Sequence, residues 1–134
     1  MKYWIINWNP QTKPIRSSRV FKTFLTWPEP FETYGYKDGR AFRSVEKGDM
    51  VFCYQKNEDS IVGVCDVIEE PQTDNKIGGT CIVLRRRCEL LKNPISSKTN
   101  PILQKIKINR TLIEVKDGGE VLLKACCAAD PSGN

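Results

Sequence analysis

The sequence predicts a single α+β domain in which β-strands predominate and a few short helices lie between them. Two neighbouring segments support this prediction. Met50–Gln55 alternates so that Phe52 and Tyr54 share one face, and Ser60–Ile68 is rich in β-branched residues. The third observation is length, because 134 residues suffice for one ordinary hydrophobic core. We therefore expect one domain over residues 1–127 and a flexible C-terminal tail over residues 128–134.

The first third of the chain predicts one strand, one helix and a long loop. Tyr3–Trp8 alternates apolar residues and stops at an Asn-Pro pair, which is typical of a strand end. Ser17 or Ser18 can cap a short helix that ends near Trp27. From Pro28 to Glu46 no periodicity holds, and this aromatic, basic segment predicts a long loop that either serves function or packs on itself.

The middle of the chain predicts a β-hairpin followed by a third strand. A polar loop joins Met50–Gln55 to Ser60–Ile68. Gly63 lies inside the second of these strands, where a glycine indicates a bulge, a bend or the wall of a pocket. A Gly-Gly turn then precedes a strand predicted over Thr80–Cys88.

The last third predicts two short helices around one strand. Asn100 and Pro101 have the order preferred for a helix cap and the first helical residue. Thr111–Val115 is predicted to be the last strand. The spacing of Asp117 and Glu120 is that of a capping box, which predicts a helix over Val121–Cys127.

Composition disfavours most catalytic chemistry. The chain has no histidine, which removes Ser-His-Asp and Cys-His catalysis. Its six cysteines lie mostly in strand-like runs without paired short spacings, and this predicts buried thiols rather than a zinc site. The remaining enzymatic hypothesis is a metal-dependent hydrolase or nuclease that uses Asp49, Asp66, Glu69 and Glu70. Turn and strand-end roles explain these carboxylates better, so we expect no catalytic residue, no cofactor and no metal.

Charge is unevenly distributed along the sequence. The chain contains 21 Lys and Arg against 16 Asp and Glu, a net charge of +5. Arg85, Arg86 and Arg87 are consecutive, whereas acidic residues collect between Glu58 and Asp74. This separation suggests one face for a phosphate backbone, although a solvated mixed surface would give the same counts. In a strand Arg85 and Arg87 would share a face, and Arg86 would point to the opposite one.

Four sequence segments are characteristic in combination: YWIINWNP, KGDMVFCYQ, SIVGVCDVIEEP and LRRRCELLKNPIS. Together they resemble the EVE domain, a member of the PUA-like superfamily that also includes the YTH readers of methylated adenine. The resemblance covers the chain from Lys2 to about Val115. It implies a strongly curved, mostly antiparallel β-barrel of about five to six strands flanked by short helices. The long segment from Pro28 to Glu46 departs from the compact form expected for the family.

The resemblance also implies a function, which is recognition of a single modified base. Related domains flip such a base out of a duplex, or take it from a single strand, and enclose it in aromatic side chains. Some resemble the recognition modules of McrBC-type restriction systems, in which the motor lies elsewhere. We expect modified DNA, with methylated or hydroxymethylated cytosine or N6-methyladenine, to be favoured over RNA. A motor or nuclease subunit, or a fused domain, would be the protein partner.

Residues at strand and helix ends are the candidates for this site. The base-binding candidates are Trp8, Asn9, Trp27, Tyr54, Gln55, Asn57 and Gly63. The phosphate-binding candidates are Arg16, Ser17, Ser18 and Arg19 at the start of the first helix, with Arg85 and Arg87 as a second set. Trp4, by contrast, is predicted to pack in the core with its N–H hydrogen-bonded.

Two alternatives stay open at this point. An RNA reader of a methylated base would use the same pocket and differ only in the sugar and strandedness of its ligand. A protein-interaction domain would use the aromatic segment as its contact surface. In each case we expect a monomer as an isolated domain. We also expect a cytoplasmic protein, because no sequence window approaches the roughly 18 apolar residues of a membrane span.

Overall fold

The structure is a computed structural model that describes residues 1–8, 25, 31–37, 41–74 and 79–130. Within these residues the chain forms eight strands. They are β1 (Tyr3–Trp8), β2 (Phe31–Lys37), β3 (Met50–Gln55), β4 (Ser60–Val67), β5 (Gln72–Asp74), β6 (Gly79–Glu89), β7 (Ile95–Ser96) and β8 (Leu112–Val115). The described α-helices are α1 (Pro101–Gln104) and α2 (Gly119–Ala129), and 3-10 turns span Ala41–Ser44 and Lys56–Glu58.

All the described strands belong to one mixed sheet, in which the order is β2-β6-β4-β3-β1-β8. β5 pairs with β6, and β7 pairs with β4. β1 and β3 run parallel, and the other described pairs are antiparallel. The predicted α+β class is therefore confirmed. β2 and β8 stand at the two ends of the strand order and do not pair with each other in the described part, so closure into a barrel stays a prediction.

The prediction of a long loop over Pro28–Glu46 is wrong, because this segment contains β2 and the 3-10 turn Ala41–Ser44. β2 pairs with β6 over its whole length, from Phe31 opposite Arg85 to Lys37 opposite Gly79. Its hydrogen bonds thus come from a strand more than 40 residues further along the chain. Local sequence periodicity does not reveal such a partner.

The helix caps follow the sequence at α1 and depart from it at α2. Asn100 caps α1, and its Oδ1 accepts hydrogen bonds from the backbone N–H groups of Ile102 and Leu103 at 3.0 and 3.1 Å. α2 has no side-chain cap, and it starts at Gly119 after Gly118 with φ +83°. The predicted capping box is therefore wrong, and so is the predicted start at Val121. α2 also includes Ala128 and Ala129, which the sequence assigns to the tail, while residues 131–134 lie outside the described residues.

The sheet buries a hydrophobic cluster on each of its faces. The first cluster contains Trp4, Ile6 and Trp8 of β1 together with Leu25 and Phe42. The second contains the alternate residues of the same strands, and α1 and α2 pack against it. A strand that is covered on both faces has apolar residues at successive positions, as β3 and β4 do. Neither of the described helices is long and apolar enough to cross a membrane.

Candidate functional site

The carboxyl ends of β1 and β3 lie side by side because these two strands run parallel. Trp8, the last residue of β1, pairs with Gln55, the last residue of β3, and Gln55 pairs on its other side with Ser60. Paired residues point to the same face of a sheet, so these three side chains share the face of the first cluster. Trp8 and Ser60 are 7% and 4% exposed. We refer to Trp8, Gln55 and Ser60 as the carboxyl-end site.

The side-chain amide of Gln55 has a defined orientation. Its Nε2 donates a hydrogen bond to Glu58 Oε2 at 2.9 Å, and an ionised carboxylate accepts hydrogen bonds but does not donate them. The nitrogen must therefore face Glu58, which assigns the other atom as the oxygen. This oxygen, Oε1, is buried, and no described residue donates a hydrogen bond to it. An unsatisfied buried acceptor costs about 1–3 kcal/mol, so the atom gains from any donor that a ligand brings.

Tyr54 and Asn7 lie on the opposite face of the same strands. They pair with each other in the parallel register, and Tyr54 packs in the second cluster with Phe52. The Tyr54 hydroxyl donates a hydrogen bond to Asp59 Oδ1 at 3.1 Å. Burial raises the pKa of Tyr54, and its hydrogen bond to Asp59 adds to this rise. The structure therefore does not bring Tyr54 and Trp8 to one pocket.

Asn7 is a second buried polar residue at these strand ends, on the face opposite the carboxyl-end site, and the sequence did not single it out. Its Oδ1 is buried and accepts no hydrogen bond from the described residues. Its backbone N–H donates to Thr111 O at 2.8 Å, which continues the pairing of β1 beyond β8. A polar residue between Ile6 and Trp8 in an otherwise apolar strand was the available signal. Asn57, a predicted base contact, is exposed in the 3-10 turn after β3.

Gly63 lies between two irregularities of the sheet. The register of β3 and β4 shifts between Cys53 and Tyr54, and that of β4 and β6 shifts between Val64 and Cys65. Of the bulge, bend and pocket wall predicted as alternatives for Gly63, these shifts support the bulge. A Cβ atom at Gly63 would lie 2.6 Å from a methyl group of Leu25. The absence of a side chain at Gly63 therefore lets the Leu25 side chain pack closely against the sheet.

The three consecutive arginines have different environments. Arg87 forms an ion pair with Asp66, with Nη2 and Oδ1 3.1 Å apart, and this hydrogen-bonded carboxylate raises the pKa of Arg87. Arg86 is partly buried, and its Nη1 donates a hydrogen bond to Leu25 O at 2.7 Å. Arg85 is exposed. Of the two predicted phosphate contacts on β6, Arg87 thus has its charge partly compensated by Asp66.

Several predicted site residues lie outside the described residues. They are Asn9, Trp27, Arg16, Ser17, Ser18 and Arg19. Their proposed contacts with a base or a phosphate stay predictions.

Asp49 organises the opposite, amino-terminal ends of β1 and β3. Its side chain is 1% exposed and accepts three hydrogen bonds, from Lys2 N, Trp4 Nε1 and Glu46 N, at 2.8–2.9 Å. The predicted core role of Trp4 is confirmed, because its indole N–H is buried and hydrogen-bonded. We refer to Asp49 and its three donors as the amino-end lock.

The carboxylates of the metal-dependent hypothesis all have protein partners. Asp49 belongs to the amino-end lock, and Asp66 pairs with Arg87. Glu69 accepts from the Gln72 side chain, and Glu70 accepts from the Lys47 backbone N–H. Among the described residues no three Cys, Asp or Glu side chains are grouped so that they could hold a metal ion.

Four cysteines form two close thiol pairs. The Sγ atoms of Cys53 and Cys65 are 3.8 Å apart, as are those of Cys88 and Cys127. The hydrogen bond to Cys53 raises the pKa of Cys65, and burial raises the pKa of Cys88 to about 12. A thiol with a raised pKa is protonated at neutral pH and is a poor nucleophile, which fits a packing role for Cys65 and Cys88.

Two cavities open near the start of α2, away from the carboxyl-end site. They have volumes of about 370 and 440 Å³ and share the segment from Glu114 to Gly118 as part of their lining. Lys105 lines the first, Lys2 lines the second and Lys116 lines both, but acidic residues lie among them. Neither cavity includes a residue that the sequence predicts to bind a base.

Comparison with known proteins supports the predicted family. The family model described as the EVE domain matches residues 2–117 of the chain. Among curated proteins, none matches the chain.

Solved structures show the same fold at low sequence identity. Rpa0253 from Rhodopseudomonas palustris is 17% identical with a TM-score of 0.63, over 100% of this chain and 96% of that one. Atu2648 from Agrobacterium tumefaciens is 20% identical with a TM-score of 0.67, over 96% of this chain and 93% of that one. A Pseudomonas putida protein is 14% identical with a TM-score of 0.66, over 92% and 98% of the two chains. These similarities concern the fold alone.

Proposed function

Because the chain belongs to the EVE domain family, which has a PUA-like fold, we propose that it binds nucleic acid and recognises one modified base. The preferred ligand is DNA that carries a methylated or hydroxymethylated cytosine or N6-methyladenine. The base leaves its stack and enters at the carboxyl-end site. The module itself is non-catalytic, and any strand cleavage belongs to a separate motor or nuclease.

The single observation behind this proposal is the pairing of Trp8 with a Gln55 whose buried oxygen accepts no hydrogen bond from the described residues. An indole offers a flat apolar surface on which a base can stack, and each stacked base gains about 1–3 kcal/mol. A side-chain amide reads the polar edge of a base. The indole and the amide acceptor lie on one face, at the ends of two neighbouring strands. Because Trp8 is only 7% exposed, the proposal requires that the side chains covering it move aside when a base enters.

Electrostatics support a polyanionic ligand in a general way. The net charge of +5 attracts phosphate groups at a distance, and Arg85 on β6 is exposed. Binding should therefore weaken as salt concentration rises, since cations released from the nucleic acid drive association. The modified base would then supply specificity rather than most of the affinity.

The first test is a titration with matched oligonucleotides. Single-stranded and duplex DNA and RNA would each carry one unmodified, 5-methylated, 5-hydroxymethylated or N6-methylated base, and binding would be followed by fluorescence anisotropy with and without magnesium. We expect tighter binding to at least one modified DNA than to its unmodified control. Equal affinity for all bases would contradict base recognition. A preference for modified RNA would identify an RNA reader, and cleavage with magnesium would contradict a non-catalytic role.

Two aromatic variants provide a matched pair for locating the site. Trp8→Leu removes the stacking surface but keeps an apolar side chain in the first cluster, and it should abolish most of the preference for the modified base. Tyr54→Phe changes the other face of the same strand ends and should leave the preference intact. Loss of preference in Tyr54→Phe alone would place the base on the opposite face. Thermal unfolding of both variants separates binding effects from loss of fold.

A further inference from the structure

The orientation of the Gln55 amide has a consequence for which bases the carboxyl-end site can accept. Glu58 holds the Nε2 end, so the buried end of the amide is an acceptor and not a donor. A free amide could turn by half a rotation and present either atom to a ligand. The Glu58 carboxylate disfavours the turned amide, which would place two acceptors against each other.

Nucleobases differ in the group that they would present to such an acceptor. Cytosine, adenine and guanine carry an exocyclic amino group, whose N–H can donate, whereas thymine and uracil carry a carbonyl oxygen where cytosine carries its amino group. A carbonyl placed against Gln55 Oε1 would bring two acceptors together in a buried setting. Sites that hold a polar partner reject ligands lacking it more strongly than apolar pockets reject a missing methyl group.

We propose that the carboxyl-end site selects bases with an exocyclic amino N–H, and that Gln55 Oε1 is the acceptor that makes this selection. The inference rests on the proposed base recognition and adds a substrate class to it. 5-Methylcytosine and N6-methyladenine qualify, because each keeps at least one N–H. Thymine does not qualify, although it carries the same 5-methyl group as 5-methylcytosine. N6,N6-Dimethyladenine does not qualify either, although it carries one more methyl group than N6-methyladenine. Glu58 is a positioning residue that acts through the amide.

The test uses single-stranded DNA oligonucleotides that differ at one base. 5-Methylcytosine is compared with thymine, since both carry the 5-methyl group and differ at the exocyclic position. N6-Methyladenine is compared with N6,N6-dimethyladenine. The wild-type protein should bind the base with the N–H donor about tenfold or more tightly, as expected when one buried hydrogen bond is replaced by an unsatisfied acceptor.

Three variants connect this discrimination to the amide. Gln55→Met keeps the length of the side chain and removes the acceptor, and it should reduce the ratio of affinities to about one. Glu58 is exposed, and Glu58→Gln leaves Gln55 in place but lets its amide turn. The ratio of the affinities for 5-methylcytosine and thymine should therefore fall, while binding of 5-methylcytosine persists. Asn7→Leu is the matched control, because Asn7 also has a buried, unsatisfied oxygen but lies on the opposite face. It should keep the wild-type ratio.

The outcomes separate this inference from the proposed function. Preference for modified over unmodified DNA, with equal affinity for 5-methylcytosine and thymine, would overturn the selection by Gln55 and leave base recognition standing. No preference for any modified base would overturn the proposed function itself. Loss of the ratio in Asn7→Leu but not in Gln55→Met would assign the acceptor to Asn7 and overturn the role of Gln55.

Discussion

The two ends of the parallel pair β1 and β3 handle buried polar groups in opposite ways. At the amino end, the carboxylate of Asp49 accepts three hydrogen bonds, including one from the buried indole of Trp4. At the carboxyl end, the side-chain oxygens of Asn7 and Gln55 are buried without a donor among the described residues. The same two strands thus begin in a saturated hydrogen-bond network and end in an unsaturated one.

This difference separates a structural end from a candidate ligand-binding end. A satisfied buried network stabilises the fold, and removing one member leaves the others unpaired. An unsatisfied buried acceptor contributes no such stability, so its presence favours a role in binding. The comparison predicts that substitution of Asp49 affects unfolding, whereas substitution of Gln55 affects ligand binding and changes stability little.

The largest effect is expected for Asp49→Ala. The substitution would leave the Trp4 indole N–H and two backbone N–H groups without their acceptor, and should lower the free energy of unfolding by about 3 kcal/mol. Urea denaturation followed by tryptophan fluorescence measures this quantity. Asp49→Asn is the control, because it keeps one acceptor oxygen and should lose less. A loss below about 1 kcal/mol in Asp49→Ala would contradict the amino-end lock.

A smaller loss is expected for Gly63→Ala, near the carboxyl end. The added Cβ would meet Leu25 methyl groups at 2.6 and 2.7 Å and the Cys88 carbonyl oxygen at 3.2 Å. Overpacking of this kind should lower the free energy of unfolding by about 2 kcal/mol.

Leu25→Ala tests whether this steric contact is the cause of the Gly63→Ala loss. The double variant should lose less free energy of unfolding than the sum of the two single losses, since the smaller residue makes room for the Cβ. Additive losses would show that the contact with Leu25 does not explain the cost.

Tyr54→Phe should cost about 1 kcal/mol, the value of one partly buried hydrogen bond to a carboxylate. The pKa of Tyr54 is raised in the folded protein, so folding favours the protonated hydroxyl. This contribution is fully present below the unfolded pKa near 10 and is lost as pH rises through the higher folded pKa. Denaturation at pH 7 and pH 11 measures the loss, which should be smaller in Tyr54→Phe than in the wild type.

The smallest effect on stability is expected for Gln55→Met. It removes an exposed hydrogen bond to Glu58 and also removes an unsatisfied buried oxygen, so the two changes should cancel to within about 0.5 kcal/mol. Its effect should appear instead in the affinity ratio for 5-methylcytosine and thymine. If Gln55→Met lowered the free energy of unfolding as much as Asp49→Ala, the contrast between a structural amino end and a ligand-binding carboxyl end would be wrong.

The sequence predicts the central strands well, because their pattern is local. β1 and β3 have their predicted bounds, and β4 ends one residue before its predicted end. β2, β5 and β7 were missed. The first contains a glycine and lacks a clear alternation, and the other two have three and two residues. Such strands exist because β6 or β4 offers them hydrogen bonds, and a single sequence does not show its long-range partners.

The candidate site was predicted in part. Trp8 and Gln55 were correctly expected at strand ends, but grouping Tyr54 with Gln55 overlooked the period of two that sends neighbouring residues to opposite faces. That assignment was open to correction from the sequence. The pairing of Trp8 with Gln55 was not, because it requires knowing that β1 and β3 are parallel and in which register. The amide orientation of Gln55 likewise depends on a fold-specific contact with Glu58.

The position of β1 in the sheet also constrains how the chain can be synthesised and folded. β1 lies between β3 and β8, and Tyr3 pairs with Met50 on one side and with Val115 on the other. Because β1 precedes both neighbours in the chain, this apolar strand remains incompletely paired until β8 has been translated. Contacts between such distant residues slow folding and leave strand edges exposed to other chains. Dilution, low temperature or a chaperone during expression should thus raise the yield of soluble protein.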